Sequence, residues 1–320
     1  MTIAIEVSDL TKFYGKLRAV DRISFNVKKG EIFGFLGPNG AGKTTTIKML
    51  ACLLKPDNGT ATVEGHDVIH DSRIVRKFIG LVPERSNLYN ELTVWDNLIF
   101  MAQLYGVPRE KRVQKAHKLL DMFDLDEHCH KRFEILSKGL KRRLTIAAGL
   151  IHEPHLLFLD EPTVGLDVQS TRFIRRLITT LKEQEVTIFL TTHYIEEADQ
   201  LCDRVAIINK GRIITIDTPE KLKARNQTRT ILKMVLDHGA DQLKEELEKR
   251  GLGSVTTSHD RLRILTDKLT PVLTFISSFI KDHELEIQAI NTINPTLEDA
   301  FARITGLTPE EMIADKKQKK

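Results

Sequence analysis

Residues 37–44 read Gly-Pro-Asn-Gly-Ala-Gly-Lys-Thr, which has the G-x-x-x-x-G-K-[ST] spacing of a phosphate-binding loop. Its glycines let the backbone turn so tightly that successive N–H groups point at one anion. In this pattern Lys43 reaches the β- and γ-phosphates, and the hydroxyl of Thr44 ligates Mg²⁺. The residues that we expect to bind a nucleoside triphosphate are Gly37, Pro38, Asn39, Gly40, Ala41, Gly42, Lys43, Thr44 and Thr45.

The segments on either side of this loop fit the same interpretation. The apolar segment 31–36 predicts a strand that enters the loop, and residues 45–50 predict the beginning of a helix that leaves it. The N-terminus of such a helix presents free N–H groups and therefore binds phosphate. Because strand, loop, Lys-Thr pair and helix follow in order, a fortuitous glycine-rich turn is a poor explanation.

A pair of adjacent carboxylates, Asp160 and Glu161, is the second chemical signal. They follow the apolar run 156–159, so we expect a strand to carry them to the sheet edge where the phosphate loop opens. Asp160 suits the Mg²⁺ shell, and Glu161 suits polarising an attacking water. Crowding of the two carboxylates predicts a raised pKa for Glu161. Such pairs are common on surfaces but not at the end of a buried strand, which favours a catalytic role.

The composition is that of an ordinary globular protein. Of its 320 residues, 41% are hydrophobic and 29% are charged, which fits one large domain and a smaller one. The net charge of +4 is too small to imply a nucleic-acid partner. Three scattered cysteines indicate no disulfide framework and fit a reducing cytosol. With no signal peptide and no run of 18 uncharged apolar residues, we expect that the chain does not cross a membrane by itself.

Alternating strand and helix patterns predict the elements that position these residues. Strands are expected at 3–7 and 23–27, and helical periodicity extends over 92–153. Further strands are expected at 155–160, 186–192 and 204–209, separated by helical segments. This order around a phosphate loop predicts an α/β fold with a mostly parallel sheet and helices on both faces.

A polar stretch at 223–229 marks a predicted domain boundary, which divides the chain into a domain over 1–225, a second over 226–308 and a basic tail over 309–320. The order strand, helix, two strands, helix, strand predicts a small ferredoxin-like accessory domain. We expect strands at 231–236, 254–258, 261–266 and 284–291, and helices at 240–250, 269–282 and 296–305.

The segment Leu136-Ser-Lys-Gly-Leu140 resembles the Leu-Ser-Gly-Gly-Gln signature of ABC transporter ATP-binding subunits. The resemblance covers about residues 3–220 and meets every motif of that family in order. It implies a P-loop NTPase fold with a mixed sheet, a helical subdomain over about 85–153, and hydrolysis of ATP with Mg²⁺. It also implies that Ser137, Lys138 and Gly139 contact the ATP held by another subunit.

The same resemblance implies roles for four further residues. Tyr14 matches the aromatic that stacks on adenine, and His193 matches the switch histidine that touches the γ-phosphate. Asp167 matches the loop that crosses to the partner subunit. Glu84 stands where the family usually has a Gln that contacts Mg²⁺ and the attacking water. A carboxylate is a good Mg²⁺ ligand but repels the γ-phosphate if poorly placed, and a surface position for Glu84 stays open.

Three features resemble the branch that exports drugs, lipids or ions, of the ABC-2 type. They are Glu84 itself, the Lys within the signature, and the segment 294–301, which is similar to the closing motif of the accessory domain on drug- and sodium-export ATPases. The branch implies a separate transmembrane permease subunit, a second ATP-binding subunit and a position at the cytoplasmic face of the membrane. It leaves the cargo open, and also whether the second subunit is identical or a homologue.

Two other functions compete with transport. Soluble ABC proteins act on ribosomes or DNA, but ribosome-acting members usually carry two ATPase domains, and this chain has one phosphate loop. DNA-repair members separate that loop from the signature by a long coiled coil, whereas about 95 residues intervene here. A binding module without hydrolysis is opposed by the Asp160–Glu161 pair.

Overall fold

The computed structural model of the chain describes residues 2–224, 230–293 and 296–307. The segment 225–229, the first two residues of the closing motif and the basic tail from 309 lie outside the described residues. The described chain forms two compact units, one that reaches Pro219 and a second formed by Glu220–Gly306. In the described residues, no helix has the length and apolar character needed to span a membrane.

The first unit contains ten strands and seven helices among the described residues. In chain order they are β1 (Ile3–Tyr14), β2 (Leu17–Lys28), β3 (Ile32–Leu36), α1 (Lys43–Leu50), β4 (Asn58–Val63), β5 (His66–Asp67), α2 (Ser72–Phe78), β6 (Ile79–Val82), α3 (Val94–Leu104), α4 (Arg109–Met122), α5 (Lys138–Leu150), β7 (Leu156–Asp160), α6 (Val168–Glu183), β8 (Thr187–Thr192), α7 (Ile195–Leu201), β9 (Arg204–Asn209) and β10 (Arg212–Asp217).

These strands form two sheets rather than the one that the sequence predicts. Six strands lie in the order β10-β9-β3-β8-β7-β6, and all their pairings are parallel except that of β10 with β9. A second, antiparallel sheet has the order β2-β1-β4-β5. The predicted strands at 3–7 and 23–27 belong to it. A two-residue turn at Gly15 joins β1 to β2, and so short a connection permits only antiparallel pairing.

The register of the parallel strands brings three segments to one edge of the larger sheet. Leu36 at the end of β3 pairs with Thr192 of β8, and Asp160 at the end of β7 pairs with Thr191. The phosphate loop, Glu161 and His193 each follow one of these strand ends. Ligands of such sheets bind outside the carboxyl ends of the strands, so the candidate site is expected there.

A cluster of phenylalanines packs the antiparallel sheet against the larger one. The ring of Phe25 in β2 lies 5.5 Å from that of Phe33 and 5.3 Å from that of Phe35, both in β3. Phe189 in β8 lies 5.3 Å from Phe35. Full burial of each ring contributes about 1.5–3 kcal/mol, so this core holds β3, and the loop that follows it, in place.

The helical periodicity over 92–153 corresponds to α3, α4 and α5, and two short 3₁₀ turns, Asp126–His128 and Phe133–Ile135, lie between α4 and α5. The side chain of Asn97, fully buried in α3, accepts from the N–H of Tyr89 and donates to the carbonyls of Tyr89, Leu92 and Thr93. This amide fixes the segment that leads from Glu84 to α3.

The second unit forms one antiparallel sheet, in the order β12 (Ser254–Ser258), β13 (Arg261–Thr266), β11 (Thr230–Leu236) and β14 (Ile287–Ile293). Its last strand begins at Ile287 and not at 284 as the sequence predicts, because Glu284 adopts a left-handed turn (φ +54°) and the N–H of Glu286 donates to Asp237. The elements are α8 (Pro219–Ala224), β11 (Thr230–Leu236), α9 (Ala240–Lys249), β12 (Ser254–Ser258), β13 (Arg261–Thr266), α10 (Leu269–Asp282), β14 (Ile287–Ile293) and α11 (Leu297–Thr305).

Candidate functional site

A cleft of about 240 Å³ opens at the edge where β3, β7 and β8 end. Most of the predicted catalytic and phosphate-loop residues meet in it, although they come from distant parts of the chain. Its lining consists of Tyr14, Leu17, Ala19, Pro38, Asn39, Gly40, Gly42, Lys43, Thr44, Thr45, Glu84, Glu161, Val164 and His193.

The phosphate loop has the backbone geometry that its glycines predict. Gly42 has φ +106°, and a Cβ atom there would lie 2.5 Å from the carbonyl oxygen of Ala19, so no larger residue fits. The Lys43 side chain curls back over the loop, and its ammonium donates to the carbonyls of Gly37 at 2.6 Å and Pro38 at 3.1 Å. The loop therefore holds a cation at its centre, beside the N-terminus of α1.

Hydroxyl groups hold the carboxylate of Asp160 at the end of β7. Thr44 donates to its Oδ1 at 3.1 Å and Thr191 donates to the same oxygen at 2.5 Å. Burial raises the pKa of Asp160 despite these hydrogen bonds, and the nearby charges of Glu161 and Glu84 raise it further. Hard oxygen donors from three segments thus lie close together, and this donor set fits Mg²⁺, which would relieve the repulsion between the carboxylates.

Glu161 is fixed at both of its carboxylate oxygens. Oε1 lies 3.1 Å from the ammonium of Lys43, and Oε2 lies 2.9 Å from Nδ1 of His193. Its backbone adopts the left-handed region (φ +48°), which costs a non-glycine residue about 1–3 kcal/mol. Its N–H donates to the carbonyl of Thr191 at 3.1 Å, and this bond helps to hold the strained conformation.

The expectation of a raised pKa for Glu161 is wrong. Burial does raise the pKa of Glu161, but the hydrogen bond from His193 and the charge of Lys43 lower it by more, so the net pKa lies below the usual value. The sequence showed the neighbouring Asp160 but not Lys43 and His193, which face Glu161 in the fold.

Arg142 is a residue at this site that the sequence analysis did not single out. Its guanidinium is buried and donates to four backbone carbonyls, those of Pro83, Glu84, Asp160 and Pro162. Burial lowers the pKa of Arg142 to about 10. It therefore joins α5, which the signature begins, to the segments that carry Glu84 and Glu161. Its spacing from Gly139 and Ile146 places it on the buried face of α5, and that signal was readable in the sequence.

The signature residues lie elsewhere. Ser137 caps α5, where its hydroxyl accepts from the N–H of Leu140 at 3.3 Å. Ser137 and Lys138 are exposed, and Gly139 is so close to Ser170 that a Cβ atom there would lie 2.2 Å from its hydroxyl. Among the described residues that line the cleft, none belongs to the signature.

Asp167 caps α6 next to the signature. Its carboxylate accepts from the N–H and the hydroxyl of Ser170, each at 2.8 Å. The Ser170 hydroxyl that meets Gly139 is thus oriented by Asp167, and the beginnings of α5 and α6 form one surface. Tyr14 ends β1 at the rim of the cleft, with 48% of its surface exposed.

Comparison with known proteins gives a consistent result. Residues 20–164 match the family described as ABC transporter. The chain is 35% identical over 307 residues to the linearmycin resistance ATP-binding protein of Bacillus subtilis, covering 95% of this chain and 99% of the relative. It is 38% identical over 309 residues to the daunorubicin/doxorubicin resistance ATP-binding protein of Streptomyces peucetius, covering 95% and 93%.

Solved structures agree with these relatives. An ATP-binding subunit of an ABC transporter has 29% identity and a TM-score of 0.64, covering 69% of this chain and 92% of its own. A dimeric ATP-binding cassette in a post-hydrolysis state, bound to ADP and Pi, has 26% identity and a TM-score of 0.62, covering 67% and 98%. These similarities do not favour a soluble ATPase that acts on ribosomes or DNA.

Proposed function

The chain belongs to the ABC transporter family as an ATP-binding, ATP-hydrolysing subunit, and we propose that it drives an exporter at the cytoplasmic face of a membrane. ATP would close a dimer of such subunits, and closure would move a separate membrane subunit. The observation that carries the export proposal is the similarity, over 95% of the chain, to proteins named for resistance to linearmycin and to daunorubicin. The export substrate of this chain is not implied by those names.

In this function the cleft binds ATP. Lys43 would exchange the carbonyls of Gly37 and Pro38 for the β- and γ-phosphates, because phosphate oxygens offer the ammonium more charge than carbonyls do. Thr44 and Asp160, with Glu84, would hold Mg²⁺, which supplies positive charge to the phosphates. Tyr14, exposed at the rim, would stack on adenine.

Glu161 and His193 would act on the attacking water and the γ-phosphate. Glu161 is ionised at neutral pH because its pKa is lowered, so it can accept a hydrogen bond from the water and then its proton. His193 already contacts Glu161 at 2.9 Å and would hold that carboxylate in orientation. Release of Lys43 toward the phosphates would free Oε1 of Glu161 for the water.

The signature would act in trans. Ser137 and Lys138 are exposed and do not line the cleft of their own chain, so their hydroxyl and ammonium are free to meet the γ-phosphate of a second subunit. Asp167 lies beside them through Ser170 and would meet the same partner. Two such half-sites related by a two-fold axis give two ATP sites from one interface.

We also propose the domain division predicted from the sequence, with an ATPase domain over 1–225, an accessory domain over 226–308 and a basic tail over 309–320. The strand order β12-β13-β11-β14 and the helices α9 and α10 between strands support a ferredoxin-like accessory domain.

Glu84→Gln is expected to retain ATP hydrolysis but to need about tenfold more Mg²⁺ for half-maximal rate, since an amide is a weaker ligand than a carboxylate. The cleft position of Glu84 and its effect on the pKa of Asp160 support the metal role. The measurement is the Mg²⁺ dependence of hydrolysis at saturating ATP. Glu91→Gln, an exposed carboxylate of the same loop, is the control. Superimposable curves for Glu84→Gln and wild type would remove Glu84 from the metal site.

An exposed apolar patch formed by Tyr89, Phe100 and Leu104 is the surface that we assign to the membrane subunit. The three side chains are 49%, 36% and 68% exposed, and the rings of Tyr89 and Phe100 lie 5.1 Å apart. Phe100 and Leu104 are four residues apart on α3, so they share one face. The patch adjoins the loop from Glu84, which would link the membrane subunit to the ATP site.

The experiment that tests the function is co-purification of the full chain with the six-helix membrane protein expected from an adjacent reading frame. Leu104→Asp is expected to keep the ATPase rate of the isolated chain and to lose the membrane protein. Leu53→Asp, equally exposed (59%) but outside the patch, is the matched control. If the Leu104→Asp variant still co-purifies with the membrane protein, the assignment of the patch is wrong. If the wild-type chain does not co-purify with the membrane protein, the transport function is wrong.

A further inference from the structure

Glu197 is a fully buried carboxyl group that the proposed chemistry does not use. It lies on α7 with 0% of its surface exposed, and its Oε1 accepts a hydrogen bond from the hydroxyl of Thr163 at 2.8 Å. Burial raises the pKa of Glu197 more than the hydroxyls of Thr192 and Thr163, which face the carboxyl, lower it. A buried polar group of this kind is retained at a cost unless it has a structural or functional role.

The two threonines that face Glu197 belong to the two segments that carry the catalytic pair. Thr163 follows Glu161 by two residues, and Thr192 immediately precedes His193. Thr192 also accepts from the N–H of Gly37 through its carbonyl, at 3.3 Å. Glu197 therefore lies behind the contact between Glu161 and His193, where its Oε1 accepts from the Thr163 hydroxyl and its Oε2 forms no hydrogen bond within the described part of the chain.

The charges around Glu197 come from three other elements. Arg175 of α6 and Arg142 of α5 are close enough to favour the carboxylate, and Glu161 after β7 opposes it. The carboxylate forms no ion pair with either arginine among the described salt bridges; instead, Arg175 lies 3.6 Å from Glu196. Among the described residues the hydroxyl of Thr163 is the hydrogen-bond partner of the Glu197 carboxyl, whose Oε2 has none, and a neutral carboxyl group satisfies the same contact.

We propose that Glu197 is a positioning residue for ATP hydrolysis, whose carboxyl group holds Thr163 by a hydrogen bond and so keeps Glu161 in contact with His193. The proposal rests on the proposed roles of that pair. Glu161 is in a strained left-handed conformation, so small backbone shifts at Thr163 would turn its carboxylate away from His193. Glu197 itself touches neither substrate nor metal in this account.

The experiment compares Glu197→Gln with Glu197→Ala in the full chain. Gln presents an oxygen acceptor to Thr163 as the carboxyl group does, so its kcat is expected to stay within about twofold of the wild type. Ala leaves the Thr163 hydroxyl unpaired in a buried site, so kcat is expected to fall about 10-fold. The KM for ATP and the equilibrium affinity for ATP should be unchanged, because the phosphate loop is intact.

Two further variants keep the test decisive. Thr163→Val removes the same hydrogen bond at nearly constant volume and should reproduce the loss of kcat, again without loss of ATP affinity. Glu196→Ala, its exposed neighbour on α7, should behave as wild type. Equal rates for Glu197→Ala and wild type would overturn the proposal, as would a Gln variant as slow as Ala or a parallel loss of ATP affinity. A wild-type rate for Glu161→Gln would instead refute the catalytic role of Glu161.

Discussion

Replacing Glu161 with Gln is expected to slow ATP turnover by roughly 10²–10⁴-fold, the range for loss of a positioned general base. Gln keeps the shape and still accepts from His193, but an amide oxygen cannot take a proton from water. Because the pKa of Glu161 is lowered, the residue is ionised at neutral pH, and the loss reports on the base itself and not on partial protonation. Single-turnover hydrolysis measures the effect, and nucleotide titration should show nearly unchanged affinity.

Lys43→Ala is the matching control, because it acts on binding instead. Its ammonium lies at the centre of the loop, 5% exposed, and no other described cation donates to the Gly37 and Pro38 carbonyls. We expect weak ATP binding and, as a consequence, little hydrolysis. A Glu161→Gln variant that hydrolyses ATP at the wild-type rate would refute the assignment of the base.

The second large effect concerns the signature. Ser137→Arg and Lys43→Ala should each abolish nearly all hydrolysis when present in both subunits. If Ser137 acts in trans, a mixed dimer carries both lesions at one site and leaves the other intact. Random mixing of equal amounts makes half of the dimers mixed, and each mixed dimer has one intact site of its two. Roughly a quarter of the wild-type rate should therefore return if the two sites hydrolyse ATP independently.

Mixing Lys43→Ala with Glu161→Gln is the control for this recovery. Both residues belong to the same chain's cleft, where they lie 3.1 Å apart, so a mixed dimer has one lesion at each site and should stay inactive. Recovery in the control, or none with Ser137→Arg while the mixed dimers form, would contradict a signature that acts in trans on independent sites.

Local pattern was sufficient to predict the parts of the site that occupy single segments. The phosphate loop, the strand that ends at Asp160 and the strand before His193 lie where the sequence predicts them, since each rests on one short run of residues. In the accessory unit the strands 254–258 and 261–266 and the helix 269–282 have the predicted bounds.

Features that depend on distant segments could not be predicted in the same way. The lowered pKa of Glu161 arises from Lys43 and His193, which are 118 and 32 residues away along the chain. The four carbonyls that Arg142 contacts, and the two threonines that face Glu197, are brought together only by the packing of α5 and α7 on the sheet. Side-chain periodicity indicates that such residues are buried but not what they contact.

The central claim is that ATP closes a dimer of this chain, and the mass of Glu161→Gln in solution tests it most directly. The variant binds ATP and does not consume it, so the closed state should accumulate. With ATP and Mg²⁺, sedimentation or light scattering is expected to give twice the mass of the 36.4 kDa chain, and half of that on removal of ATP. A Glu161→Gln variant that binds ATP and stays monomeric would contradict the account.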